Sequence, residues 1–268
     1  MAPTTIMPQN YIATSTPEDT EERSDRNGPQ DLVVATNPKS SFAEAIKSAK
    51  TNIMFSSIGK DFRTIAVTSP ESGDGKSFVI ANLAIAFSQD GKKVLVIDGD
   101  LRRGRQHQIF NLGSSHHHGY SNLILGYQNT TPDTAAYFIN SHLRQTAFPG
   151  VNILPSGPTP PNPLELLSSQ SNQEIIKYLR GQYDIILIDC PPTLGLSDAL
   201  VISKLADINI ITVTSNKTKI DQLDDVKKAF EKVNSKIAGV IINKAKTKHS
   251  SYYYSSYYND KYYYDNRG

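Results

Sequence analysis

Cysteine is nearly absent: Cys190 is the only one. A lone thiol excludes an internal disulfide, and a reducing compartment fits. Long apolar runs are absent too, since no stretch reaches the roughly 18 residues that a membrane-spanning helix requires. The N-terminus MAPTTIMPQN lacks the basic start and apolar stretch of a secretory signal. Charge of one sign is missing as well. Against 28 Lys and Arg stand 26 Asp and Glu, a net of +2, so nothing global points to nucleic acid or to an acidic substrate. No period of solenoid type recurs. What is present is a chain of 268 residues, enough for one large α/β domain or two smaller ones.

Residues 1–37 are polar and without apolar period. Glu18, Asp19, Glu21, Glu22, Asp25 and Asp31 outnumber Arg23 and Arg26, which reads as a flexible acidic arm or as an extension packing on another subunit. From 40 to 57, Phe42, Ala45, Ile46, Ala49 and Ile53 recur at helical spacing, with Ser41 as cap and Glu44 three residues on. β-branched runs then alternate with helical segments. Strands are predicted over 63–69, 93–100, 151–157, 184–190, 208–215 and 238–244. Helices are predicted over 76–89, through 163–181, near 197–205 and over 221–234. Apolar strands between helices imply an α/β fold with a doubly wound, mainly parallel sheet flanked by helices. One folded domain over 38–244 follows, with a patternless tail over 245–268. The tail holds eight of the 14 tyrosines: Tyr252, Tyr253, Tyr254, Tyr257, Tyr258, Tyr262, Tyr263 and Tyr264.

The strand at 63–69 runs into SPESGDGKS and then a helix. Glycines permit a backbone path whose N–H groups face an anion, and the helix adds its positive end. Ser72, Gly73, Asp74, Gly75, Lys76, Ser77 and Phe78 therefore form a candidate phosphate loop. Lys76 reaches for the β- and γ-phosphates and Ser77 for Mg²⁺. Pro70 stands where the common pattern has its first glycine. Two further strands end in acids, Asp98 and Asp100 in VLVIDGDLR and Asp189 in IILIDCPP. Ligands of open α/β sheets bind at these strand ends, so the three carboxylates are expected around the phosphates, where they fit Mg²⁺ chemistry. His116, His117 and His118 lack supporting metal-ligand spacing and read as a polar loop.

These motifs together resemble the bacterial tyrosine kinases of capsule and exopolysaccharide operons. The likeness covers about 38–264. It rests on GDGKS, on the D-x-D-x-R pattern of IDGDLR, on IILIDCPP, on LPSGPTPPNPLELL and on the tyrosine-rich tail. The resemblance implies ATP, Mg²⁺ and autophosphorylation of the tail in trans. It assigns Asp98 as acceptor of the phenol proton and Asp100 with Ser77 and Asp189 as the metal set, although sequence does not separate the roles of Asp98 and Asp100. It sets Arg102 beside the acids or the incoming phenol. Asn243 is expected near adenine, a strand-end turn being the plain alternative. The family's E-x-x-R-x-x-R assembly helix maps onto Glu44, Lys47 and Lys50, where lysine lacks arginine's two-pronged contact. It further implies a ring-like homo-oligomer, an octamer being one form, a transmembrane activator or polysaccharide co-polymerase, a cognate tyrosine phosphatase, no nucleic acid, and a cytoplasmic site at the inner face of the membrane. Two alternatives remain open. One is a partition or cell-division ATPase, against which stands Glu71 where that class has a second lysine. The other is a nucleotide-binding scaffold without kinase activity.

Overall fold

The computed structural model describes residues 11–15, 31–56, 62–113 and 118–245. Eight strands form one sheet in the order β1-β8-β7-β2-β6-β3-β5-β4. All neighbours are parallel except β4 (Arg144–Gln145) against β5 (Val151–Leu154) at one edge. The central strands are β2 (Thr64–Thr68), β6 (Ile185–Asp189) and β3 (Val94–Asp98), every residue of which is buried. β7 (Ile208–Thr214) and β8 (Ile237–Ala245) continue the sheet on the other side.

Burial on both faces explains the unbroken apolar runs. Side chains alternate across a strand, so each run feeds two cores. Val94 and Val96, Ile185 and Leu187, and Ile65 and Val67 enter one cluster with helices α2 (Ser41–Ser56) and α3 (Lys76–Ser88). Leu95 and Ile97, Ile186 and Ile188, and Ala66 enter the other with α5 (Tyr120–Tyr127), α7 (Pro163–Ser168), α8 (Gln170–Arg180) and α9 (Asp198–Ser203). The break between α7 and α8 falls at Ser169, whose Oγ accepts the Asn172 N–H as an N-cap. α10 (Ile220–Lys232) leads into β8.

Several boundaries differ from the sequence expectation. The cap of α2 is Ser40, which accepts from the Ala43 N–H at 3.1 Å, one residue before Ser41. The arm expected over 1–37 is partly folded. Tyr11–Ser15 is strand β1, parallel to β8. Val33–Thr36 is a short helix, α1, with Leu32 and Val34 wholly buried. Asn82 in α3 holds it: Oδ1 accepts the Val34 N–H and Nδ2 donates to the Asp31 carbonyl, both at 2.9 Å. Four helical residues are too few to show a period, and packing stabilises them instead. Between 101 and 150 the sequence showed no element. Here lie α4 (Gln106–Ile109), α5, α6 (Pro132–His142) and β4. α6 buries only Ile139 and His142, so it carries no apolar stripe to detect. No helix among the described residues is long and apolar enough to cross a membrane.

Candidate active site

The site forms where β2, β6 and β3 stop. β2 runs into the loop and α3. Gly73 and Gly75 have φ of 89° and 88°, a region that suits glycine. A Cβ on Gly75 would meet the Asn243 amide at 2.1 Å. The loop's carbonyls are pulled outward: Gly73 O accepts from Lys244 Nζ at 2.9 Å and Asp74 O from Asn243 Nδ2 at 3.0 Å. Asp74 is buried and braces the loop, its two oxygens accepting from the Glu71 N–H and the Thr214 hydroxyl. Carbonyls held by donors outside the loop are the arrangement that an anion cradle of N–H groups requires.

Asp98 and Asp189 are register partners on β3 and β6. Lys76 reaches from the first turn of α3 into this acidic end. Its Nζ stands 3.3 Å from Asp189 Oδ1, 3.4 Å from Asp100 Oδ2 and 3.4 Å from Ser77 Oγ. Burial pulls the ammonium's proton affinity down, but Asp189, Asp100 and Asp98 outweigh it and hold the pKa above its ordinary value. Asp98 is fully buried. Its Oδ2 accepts the Gln106 N–H at 2.9 Å, and its Oδ1 has no partner among the described residues. Burial first, then the negative charge of Asp189, raise its pKa well above the carboxylate range. Gly104 packs closely against its Oδ2: a Cβ there would lie 2.8 Å from Asp98 Oδ2 and 2.2 Å from Ser156 Oγ. The Cys190 thiol is buried and pushed up by that burial and by Asp189, so it stays protonated and poorly nucleophilic.

A lysine ammonium midway between a hydroxyl and two carboxylates marks a place where hard oxygen donors converge on positive charge. Ser77, Asp100 and Asp189 thus fit Mg²⁺, which favours one or two carboxylates plus substrate phosphates. No cluster of three or more His, Cys, Asp or Glu suited to hold a metal alone occurs among the described residues. Of the three histidines at 116–118, only His118 lies among the described residues, 6.2 Å in ring separation from His142.

Other expected site residues lie differently. Phe78 packs its ring on Phe42, 4.9 Å between centroids, so the core uses its side chain and only its backbone faces the loop region. Ser72 is exposed. Asn243 is buried with both ends of its amide engaged, Nδ2 on Asp74 O and Oδ1 on the Lys244 N–H. It braces the loop through the Asp74 carbonyl. Arg102 pairs with Asp198 at 2.8 Å, and that bond first, with the charges of Asp198 and Asp100, holds its pKa above the ordinary value. Glu44 and Lys47 pair with each other on exposed α2 at 2.7 Å. Lys50 is tied within the chain at the end of α3 remote from the site, to the Ala86 carbonyl in its last turn and to Asp90 just beyond it. The eight tail tyrosines lie outside the described residues. Sequence reading missed Gln106, Lys244 and the Thr68–Thr193 hydroxyl pair behind the loop. None sits in a recognisable motif.

Comparisons with known proteins agree with this geometry. The profile of the "AAA domain" family matches residues 62–243. The tyrosine-protein kinase YwqD of Bacillus subtilis (strain 168) is 35% identical over 230 residues, 84% of this chain and 91% of that protein. The crystal structure of the chimerical protein CapA2B2 superposes with a TM-score of 0.75 at 31% identity, covering 88% of this chain and 93% of that one. The septum site-determining protein MinD of Pyrococcus horikoshii, solved with Mg-ADP, is more distant. It shows a TM-score of 0.53 at 28% identity over 68% of this chain and 70% of that one.

Proposed function

The chain belongs to the bacterial tyrosine-protein kinases, and on that premise we propose that it is an ATP-dependent autokinase whose acceptors are its own tail tyrosines, supplied by a neighbouring copy. One observation carries the assignment of the machinery: Lys76 gathered with Ser77, Asp100 and Asp189 at the ends of three adjacent strands.

Phosphoryl transfer needs positioning and neutralisation of charge more than covalent help. The loop N–H groups and the N-terminus of α3 hold the triphosphate. Lys76, now shared by two carboxylates, gains the β- and γ-phosphates as partners. Ser77, Asp100 and Asp189 hold Mg²⁺, which when bound neutralises charge on the β- and γ-phosphates. Asp98 would take the phenol proton in its ionised form, which burial and Asp189 disfavour in the ligand-free chain and which the charge of bound Mg²⁺ would favour. The phenolic oxygen forms a bond to the γ-phosphorus, the bond to the bridging oxygen breaks, and ADP leaves. Arg102, fixed by Asp198, lines the approach.

A tail that serves another copy's site requires self-association. The exposed Glu44–Lys47 pair on α2 is available for it, whereas Lys50 already holds α2 to the far end of α3. A ring, an octamer being one form, presents each tail to the next site at high effective concentration. Each phosphate adds roughly −1.5 to −2 charges, so a multiply modified tail leaves an acidic pocket and loosens the ring. A transmembrane activator holds the protein at the inner face of the membrane, a tyrosine phosphatase resets the tail, and capsule or exopolysaccharide export is the process governed. Nucleic acid has no part in it.

Purified protein incubated with ATP and Mg²⁺, with and without the activator's cytoplasmic tail, tests the reading. Phosphotyrosine is expected, and its absence in both arms overturns the kinase assignment. Replacing all eight tail tyrosines by Phe abolishes the signal while nucleotide still binds; strong residual labelling means that the acceptors lie elsewhere. Mixing a Lys76→Met chain with an active chain truncated after 245 labels the Lys76→Met chain if transfer occurs in trans.

A further inference from the structure

Gln106 opens the four-residue helix α4, in a segment without sequence motif, yet it touches three parts of the site. Its side-chain Nε2 donates to Asp189 Oδ2 at 2.8 Å and to the Ser77 carbonyl at 3.0 Å. Its backbone N–H donates to Asp98 Oδ2 at 2.9 Å. The residue is wholly buried. One amide nitrogen carries two hydrogens, and both are used, one on β6 and one on α3.

Nothing in an aspartate's own geometry decides which oxygen faces a ligand, because its terminal torsion is broad and two-fold. Here Gln106 decides it. With Oδ2 of Asp189 held by the amide, Oδ1 is the oxygen that faces the Lys76 ammonium at 3.3 Å, the point where cationic charge is received. The bond to the Ser77 carbonyl ties the residue carrying the hydroxyl donor to the same amide. We propose that Gln106 is a positioning residue for the metal–nucleotide complex: it orients Asp189 and locks it to Ser77, so that both move as one unit. A role in packing alone fits poorly. Its Oε1 is buried without a partner among the described residues, a desolvation cost that an apolar side chain would avoid.

The inference rests on the Mg²⁺–nucleotide site proposed above, and its test is a binding experiment that needs no tyrosine transfer. Binding of a fluorescent ADP is measured in EDTA and across a Mg²⁺ titration for the full chain, Gln106→Met and Gln106→Glu. Met keeps the approximate shape without the amide; Glu keeps the outline but replaces the donor by an oxygen facing Asp189. Binding in EDTA is expected to stay within about 2-fold, because Lys76 and the loop are untouched. The Mg²⁺ concentration for half-enhancement is expected to rise by about 10-fold or more in both variants, as for other groups that orient metal ligands. Met and Glu variants with the unaltered Mg²⁺ dependence overturn the proposal. An equal loss with and without Mg²⁺ also overturns it, since that marks general damage to the loop. Thermal melts identify a misfolded variant, in which case the other decides. Failure of the unaltered chain to bind Mg-ADP would refute the nucleotide site itself. Binding without phosphotyrosine would refute the kinase reading and leave Gln106 standing.

Discussion

The two ends of the parallel strands use aspartate in opposite ways. Where strands begin, Asp207 accepts from the Arg63 and Thr64 N–H groups, both at 2.9 Å, and from the Arg180 guanidinium at 2.7 Å. Burial pushes its pKa up, but these donors outweigh burial and hold it below the usual range. Asp184 likewise accepts the Lys93 N–H at 2.8 Å. Where strands end, Asp100 and Asp189 share one lysine, and an oxygen of Asp98 faces no partner among the described residues. The contrast is one of donors. Parallel strands expose their own N–H groups at their starts and carbonyls at their ends. An acid at the ends therefore draws its donors from the following loop and from side chains: Asp98 from the Gln106 N–H, Asp100 from the Arg103 N–H and Lys76, and Asp189 from Lys76 and the Gln106 amide. Asp98 keeps one oxygen short of a donor, and Asp100 and Asp189 divide a single ammonium between them, until a cation arrives. Such unsatisfied charge is stored for chemistry at a cost in stability.

The largest effect on this contrast should come from Lys76→Met. It removes the shared cation, and autophosphorylation should fall by about 1,000-fold or more, measured as phosphotyrosine formed per minute. The ligand-free protein should also melt lower, because three carboxylates then face one another.

Asp98→Asn should separate the two properties. Kinase activity falls by about 100-fold or more, yet the ligand-free protein becomes more stable at pH 7. The sign follows from the raised pKa. A proton held in the folded state but lost by the unfolded chain above about pH 4 makes wild-type stability decline as pH rises. The variant escapes that decline. Its advantage in Tm should therefore shrink to nothing as pH is lowered toward about 4, and an advantage that persists there would contradict this account.

At the other end, Asp207→Asn should lower stability by about 1–2 kcal/mol at pH 7, through the loss of charge-assisted bonds. Here the pKa is depressed, so the contribution is present above about pH 4 and fades as pH falls further. Denaturant unfolding at pH 7 and pH 3 measures it, and kcat should not change. The smallest effect is expected for Asp184→Asn, under about 1 kcal/mol, since one exposed bond is lost. A large kinetic defect from either of these two variants would erase the distinction between the ends.

Strands and loop were legible because their signals are local. A β-branched run such as IILID needs burial on both faces wherever it lies, and GDGKS between strand and helix has few other uses. Lys76, Ser77, Asp98, Asp100 and Asp189 followed from that alone. The segment 101–150 was not legible because α4 is four residues long and α6 buries two side chains, too few for a period. The bracing role of Asn243 was not legible for a different reason. Its partner carbonyl belongs to Asp74, 169 residues away, and only folding shows that the amide stands behind the loop. The arm's buried Leu32 and Val34 depend likewise on Asn82, a polar residue in an otherwise apolar helix.

The order of the elements, the parallel sheet, the phosphate loop and the acids at strand ends are properties of the sequence itself, because each follows from the chain's immediate neighbours and the periods of helix and strand. Tertiary structure alone decided which partner each charged group receives: none for Asp98 Oδ1 among the described residues, the Gln106 amide for Asp189, Asp198 for Arg102, Asp90 for Lys50. Such pairings join residues tens of positions apart. They are set by how strands stack side by side, and no local pattern carries that information.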